Sequence, residues 1–262
     1  MHEDKGTCIY CLKDSSNAKG SEHIIPDSLG YKDTLPKGWV CDECNNYFSD
    51  IDNSILHNRF IALLVGTKQI PGKKGKIRNQ IGNKLSFPEK DHFSLESDTL
   101  IIESGKVKEN YDITFSQDKV FNRFKFARGI HKIAFNLYVS NKDQKWALNP
   151  KFNNLRKYIR DADKNDFWKY GFKLKYNLTN SINVSFDNDT VRFNILDLRF
   201  FVSLSRMNKK IEDKAKNKGY DIVEIDQKWD GNSLLGLNLI KGVKFIYSIT
   251  PDHVKRTRKV LF

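Results

Sequence analysis

The residues with the clearest capacity for chemistry lie near the start of the chain: Cys8-x-x-Cys11, then Glu22-His23-Ile24-Ile25-Pro26, then Cys41-x-x-Cys44-Asn45-Asn46. They include all 4 cysteines of the 262 residues. A two-residue spacer must bend to aim two sulfurs at one ion, and four thiolates close a tetrahedral structural zinc site. Cys8, Cys11, Cys41 and Cys44 are therefore expected to hold one Zn2+; the competing readings are two disulfides or four unrelated core cysteines. Glu22-His23 is the second candidate. Adjacent residues on a strand point to opposite faces, but at a strand end or bend both reach one site, the carboxylate to a divalent cation and the imidazole to a water. Taken alone, the dipeptide reads rather as a surface glutamate beside a packed histidine, and it is the surrounding motif that favours a site.

These groups need elements to position them. Between the cysteine pairs, residues 13–20 are polar and turn-rich, and the short extended run 22–25 is halted by Pro26. Asp42 is placed to cap a helix running to about His57, with Cys44 in its first turn. Cys44, Phe48, Ile51 and Ile55 recur at helical spacing, so the cysteine heads the buried face. Asn45, Ser49 and Asp52 form a neighbouring polar stripe, and Asn46, Asp50, Asn53 and His57 fall on the far, solvated side.

The whole chain sets the frame. With 39% hydrophobic and 12% aromatic residues it can bury a sizeable core. The first residues carry no apolar stretch behind a basic one, and the longest clean apolar run, 60–65, is far too short to span a bilayer. The expectation is a cytoplasmic protein with no membrane partner, its thiols reduced and available to metal. Lys and Arg number 45 against 32 Asp and Glu, a formal +13 that suits a nucleic-acid partner, simple solubility being the alternative.

Beyond residue 65 the composition shifts. Residues 66–90 carry Lys68, Lys73, Lys74, Lys76, Arg78, Lys84 and Lys90 against Glu89, with four glycines interspersed, and read as a basic linker or loose hairpin. The division expected is 1–65 for the zinc-bearing unit, 66–90 for the linker and 91–262 for a larger α+β domain. In that domain strands are expected at 99–102, 107–115, 182–186, 191–195, 199–204 and 234–249, with a hairpin at Asp187-Asn188-Asp189. An amphipathic helix of about 20 residues is marked by Val120, Phe124, Ala127, Ile130, Ala134 and Leu137. His131 lies beside its apolar stripe as a core-edge histidine, with Arg128 and Lys132 outside. Further helices are expected at 150–163 and 207–218, and the basic end, 253–259, reads as a solvated tail.

Cys8-x-x-Cys11, Glu22-His23-Ile24-Ile25-Pro26, Ser28-Leu29-Gly30 and Cys41-Asp42-Glu43-Cys44-Asn45-Asn46-x-Phe48 resemble the HNH endonuclease family, in the subgroup with four cysteines and a Glu-His-Ile-x-Pro signature. The resemblance covers about residues 5–57. It implies an α+β fold, a zinc-stapled ββα-metal unit followed by the larger domain, and hydrolysis of phosphodiester bonds in DNA, double-stranded DNA first. It implies a catalytic Mg2+ or Mn2+ separate from the zinc, with His23 as general base and Glu22 and Asn45 as ligands of the cation. Ser49 or Asp52 lies where a further ligand or supporting partner would sit, and backbone groups near Gly38 or Trp39, or Asn46, are the candidates to orient His23. The family's middle asparagine, which holds the histidine loop, has no counterpart between Gly30 and Cys41. A protein partner or homodimer and a role in restriction or phage defence are further implications. The competing function is a noncatalytic zinc-ribbon module that binds nucleic acid.

Overall fold

The computed structural model describes residues 6–72, 75, 80–81, 85–86, 94–96, 101–103, 122–161, 166, 168–174, 183–224 and 254–255. The N-terminal unit opens with the knuckle at Cys8, where the amides of Cys8 and Leu12 bond to the carbonyls of Lys13 and Cys8. The Glu22-His23 run pairs antiparallel with the run before Pro36: Ile24 N–H donates to Asp33 O at 3.0 Å and Leu35 N–H to Glu22 O at 2.8 Å. The two strands expected of a ββα unit are reduced here to a single bridge, His23 with Thr34. Proline at 26 and 36 limits further pairing, and a 3-10 turn at Asp27–Leu29 intervenes.

Helix α1, Asp42–Leu56, follows. Cys44, Phe48, Ile51 and Ile55 are all buried on it, as their spacing requires. Its N-cap is Cys41, whose sulfur accepts from the Cys44 amide, and not Asp42. The Asp42 carboxylate instead takes the amides of Lys19 and Gly20, tying the loop between the knuckles to the helix start. Helix α2, Arg59–Thr67, begins at Asn58, whose side chain accepts from the Ile61 amide.

Strands β1 (Gln80–Ile81), β2 (Leu85–Ser86), β3 (Ser94–Glu96) and β4 (Ile101–Glu103) form a small antiparallel sheet, closed on the β4 edge by β10 (Val254–Lys255). Helix α3, Arg123–Ser140, is capped by Asn122, which accepts from the Phe124 and Lys125 amides. It is not the amphipathic surface helix its pattern predicts: every residue from 129 to 139 is buried. A helix buried all round is central, and α3 packs against α1 on one side and the second sheet on the other. Gly129 makes the first contact possible, since a Cβ there would lie 2.9 Å from Ile55 Cδ1.

Short helices α4 (Gln144–Ala147) and α5 (Asn153–Asp161) lead into a second antiparallel sheet, ordered β6-β7-β8-β5-β9. Its strands are β5 (Tyr170–Leu174), β6 (Ser185–Asp187), β7 (Thr190–Ile195), β8 (Leu198–Ser203) and β9 (Asp221–Val223), with α6 (Lys209–Asn217) before the last. The expected hairpin is present: Asp187 pairs with Thr190, and Asn188 adopts φ +53°, a left-handed turn conformation that asparagine tolerates. One apolar core runs from Cys8 to Val223 and joins the N-terminal unit to this sheet through α3. Among the described residues no helix is long and apolar enough to cross a membrane. The strands expected at 107–115 and 234–249, and most of the basic segment 66–90, lie outside the described residues.

Candidate active site and metal centre

The four cysteine sulfurs lie within 4.8 Å of one another, and Cys11 Sγ sits 3.6 Å from Cys41 Sγ. A tetrahedral ZnS4 centre with bonds of about 2.3 Å needs sulfurs about 3.8 Å apart, so the cluster fits that ion. Cys8 and Cys44 are buried, Cys11 and Cys41 half-buried. Hydrogen bonding from the Cys44 thiol lowers the Cys8 thiol, whereas burial raises Cys11 and the bond to Cys8 raises Cys44, so Cys8 ionises ahead of those two. The knuckles are braced together by the Ile9 amide on Trp39 O at 2.8 Å.

The Glu22-His23 loop is held from outside the N-terminal unit. Glu22 is 3% exposed, and its carboxylate pairs with the ammonium of Lys132 on α3. Lys132, itself fully buried, also pairs with Asp52 on α1 at 2.7 Å. Burial pushes the Glu22 carboxyl up to about 7, against the pull of Lys132. Desolvation works against the Lys132 charge, but the two carboxylates hold it above the usual lysine range.

One turn further along α3, the Asn136 side chain donates at 3.0 Å to the carbonyl oxygen of His23. Its own oxygen accepts from the Tyr10 hydroxyl at 2.6 Å. Tyr10 lies inside the first knuckle and packs edge-on against Phe48 and Phe135, so a continuous chain of contacts joins the cysteine cluster to the main chain of His23. His23 is half-buried, with Nδ1 enclosed and without a hydrogen-bond partner among the described residues. Such an atom is satisfied by a water or a ligand.

Of the α1 residues singled out from sequence, Asp52 joins this group through Lys132, and Asn45 lies beside Gly20, two residues before Glu22: a Cβ on Gly20 would meet Asn45 Nδ2 at 3.0 Å. Ser49 is exposed, its hydroxyl 3.5 Å from the Asn45 carbonyl, and Asn46 is exposed as well. The carboxylates of Glu22 and Asp52 converge on one cationic point, and an oxygen-donor set of this kind suits a hard divalent cation. Lys132 takes that point in the structure.

Lys132, Asn136 and Tyr10 were not predicted from sequence as site residues. The signal available was a lysine and an asparagine inside the otherwise apolar run 129–139, where a buried polar group requires a partner. Nothing in the sequence said which partner.

A family model described as HNH endonuclease matches residues 8–60, from the first cysteine to the start of α2. No curated protein and no solved structure matches the chain. Residues 8–60, carrying the four cysteines and the Glu22-His23 loop, are thus the part of the chain that is similar to the HNH endonuclease family.

Proposed function

We propose that this protein is a metal-dependent endonuclease that hydrolyses phosphodiester bonds of DNA, with His23 as general base and Glu22 and Asn45 as ligands of Mg2+ or Mn2+. The observation that carries this reading is the fixing of the Glu22-His23 loop: a buried ion pair on one residue and a side-chain hydrogen bond on the main chain of the next. A loop so held presents an imidazole from a pre-set backbone, which is what positioning a base against water requires.

His23 takes a proton from a water in line with the scissile bond. The water oxygen bonds to phosphorus as the bond to the leaving oxygen breaks, and the leaving oxygen takes a proton from solvent. A bound divalent cation would neutralise charge developing on the phosphate and the leaving oxygen. Lys132 fixes the Glu22 carboxylate, and the four-cysteine cluster with its zinc fixes α1 and the first knuckle. The excess of basic residues favours a duplex DNA backbone, and residues 91–262, a protein partner or a second copy supply selectivity. Restriction or phage defence is the setting we propose, on the resemblance of the catalytic unit.

A second reading, a zinc-bearing module that holds nucleic acid without cutting it, is favoured by Lys132, whose ammonium pairs with both carboxylates at the point where a cation would sit. Incubation of the purified protein with supercoiled plasmid and single-stranded DNA, with Mg2+, Mn2+ or no added cation, decides between them. Nicking or linearisation that needs the cation and falls by on the order of 100-fold in His23→Ala is expected for a lost general base. Binding without cleavage under any cation supports the second reading. Zinc content, measured alongside, stays unchanged in His23→Ala and is lost in Cys44→Ala.

A further inference from the structure

The second sheet carries a cleft whose chemistry the catalytic unit does not use. It has a volume of about 380 Å³ and is lined by Asn183, Val184, Ser185, Arg192, Arg199 and Tyr220. The register explains how the charges meet: Arg192 on β7 stands opposite Ser185 on β6, and Arg199 on β8 stands opposite Asn194 on β7. Alternation along β7 puts Arg192 and Asn194 on one face, with Val191, Phe193 and Ile195 turned into the core.

Neither arginine forms an ion pair among the described residues, and Arg192 Nε is enclosed without a hydrogen-bond partner. The carboxylate nearest in effect to Arg192, Asp187, is already paired with Lys214. Burial holds the Tyr220 phenol above its ordinary range, so it stays a neutral donor. Among the described residues no acid lines the cleft. Two guanidiniums, a phenol, a serine and an asparagine around a space this large are donors seeking an anion. Guanidinium forks match phosphate oxygens in shape as well as charge.

We propose that this cleft binds the phosphate of a nucleotide, either free or as one unit of a strand, through Arg192 and Arg199. The inference does not depend on cleavage, because its test reads binding in the absence of added divalent cation. The full-length protein is titrated with inorganic phosphate, with a 5′-deoxymononucleotide and with a labelled duplex. The panel is the wild type, Arg192→Ala/Arg199→Ala, and the charge-matched Lys210→Ala/Lys216→Ala, which removes two exposed lysines of α6.

The arginine pair is expected to weaken binding by about tenfold or more, and for the duplex to lower the slope of log K against log salt by about 2. The lysine pair leaves mononucleotide affinity unchanged. Arginine-dependent binding of mononucleotide identifies a free nucleotide as sufficient; the same dependence for duplex alone identifies the strand as the source. Equal losses in both double variants, or no binding by the wild type, overturns the proposal. If the alanine pair lowers Tm or zinc content, Arg192→Gln/Arg199→Gln replaces it.

Discussion

Lys132 concentrates the energetic tension of the site in one atom. Its ammonium is fully buried between Glu22 and Asp52, and burying an ion costs several kcal/mol unless its partners are well placed. Removing the ammonium alone leaves the buried Glu22 carboxyl facing the part-exposed Asp52 carboxylate without a counter-charge. Lys132→Met is therefore expected to destabilise the protein by about 3–5 kcal/mol. Adding Glu22→Gln removes one stranded charge and recovers part of the loss. Equilibrium urea unfolding of the two single variants and the double variant measures this; strictly additive losses would show that the pair does not act as a unit. The same argument explains why the sequence was a poor guide here. Lys132 has the composition of a surface residue, and its partners lie 110 and 80 positions away.

Helix α3 is the element that turns the loop beside the four-cysteine cluster into a candidate site. Its Gly129 lets it approach Ile51 and Ile55 of α1, its Lys132 reaches Glu22, and its Asn136 reaches the main chain of His23. Asn136 touches no reacting atom on the proposed mechanism; it is a positioning residue. Asn136→Ala is expected to lower kcat for DNA cleavage by on the order of 100-fold, as a small displacement of a catalytic group does. KM and zinc content stay near wild type, because neither the DNA-facing charges nor the cysteines change. A purely structural role would instead lower Tm and leave the kcat of the folded fraction intact. The part of α1 that faces the core was legible, because Cys44, Phe48, Ile51 and Ile55 repeat at the helical period and no long-range fact is needed to read them. The cap was not: Asp42 has the usual capping chemistry, but the sulfur of Cys41 takes the Cys44 amide, because the same turn must present two thiolates to one ion. The missing middle asparagine illustrates the other limit. The hydrogen bond to the histidine loop comes from a helix 113 residues downstream, where local pattern gives no hint of it.

At the scale of the whole molecule, one core carries both the cysteine unit and the second sheet, and His131 sits inside it. The ring is fully buried among Tyr158, Trp168 and Tyr170, with Nδ1 2.8 Å from the Ala127 carbonyl. Burial lowers its pKa to about 4, against the weaker pull of the Ala127 and Lys169 backbone. The folded state therefore refuses a proton that the unfolded chain accepts near 6.5. Stability from this group is complete above that pH and is lost progressively as pH falls toward 4, by about 3 kcal/mol at most. The difference in unfolding free energy between wild type and His131→Phe, followed from pH 7.5 downward, isolates the effect from titration of the four-cysteine cluster; a flat difference would show that His131 does not titrate as described. The hairpin at Asn188 and the β7–β8 pair were legible, because alternation and turn chemistry act over a few residues. The central position of α3 was not, since its burial on every side depends on what two distant parts of the chain bring to it.

The dependence of His23 and Glu22 on α3 also bears on inheritance and engineering. A gene fusion that moved residues 8–60 as a cassette would carry every cysteine and the whole Glu-His motif, yet leave Lys132 and Asn136 behind. The smallest transferable form of this site is therefore longer than the segment that the family model matches, and a graft has to bring the helix with it.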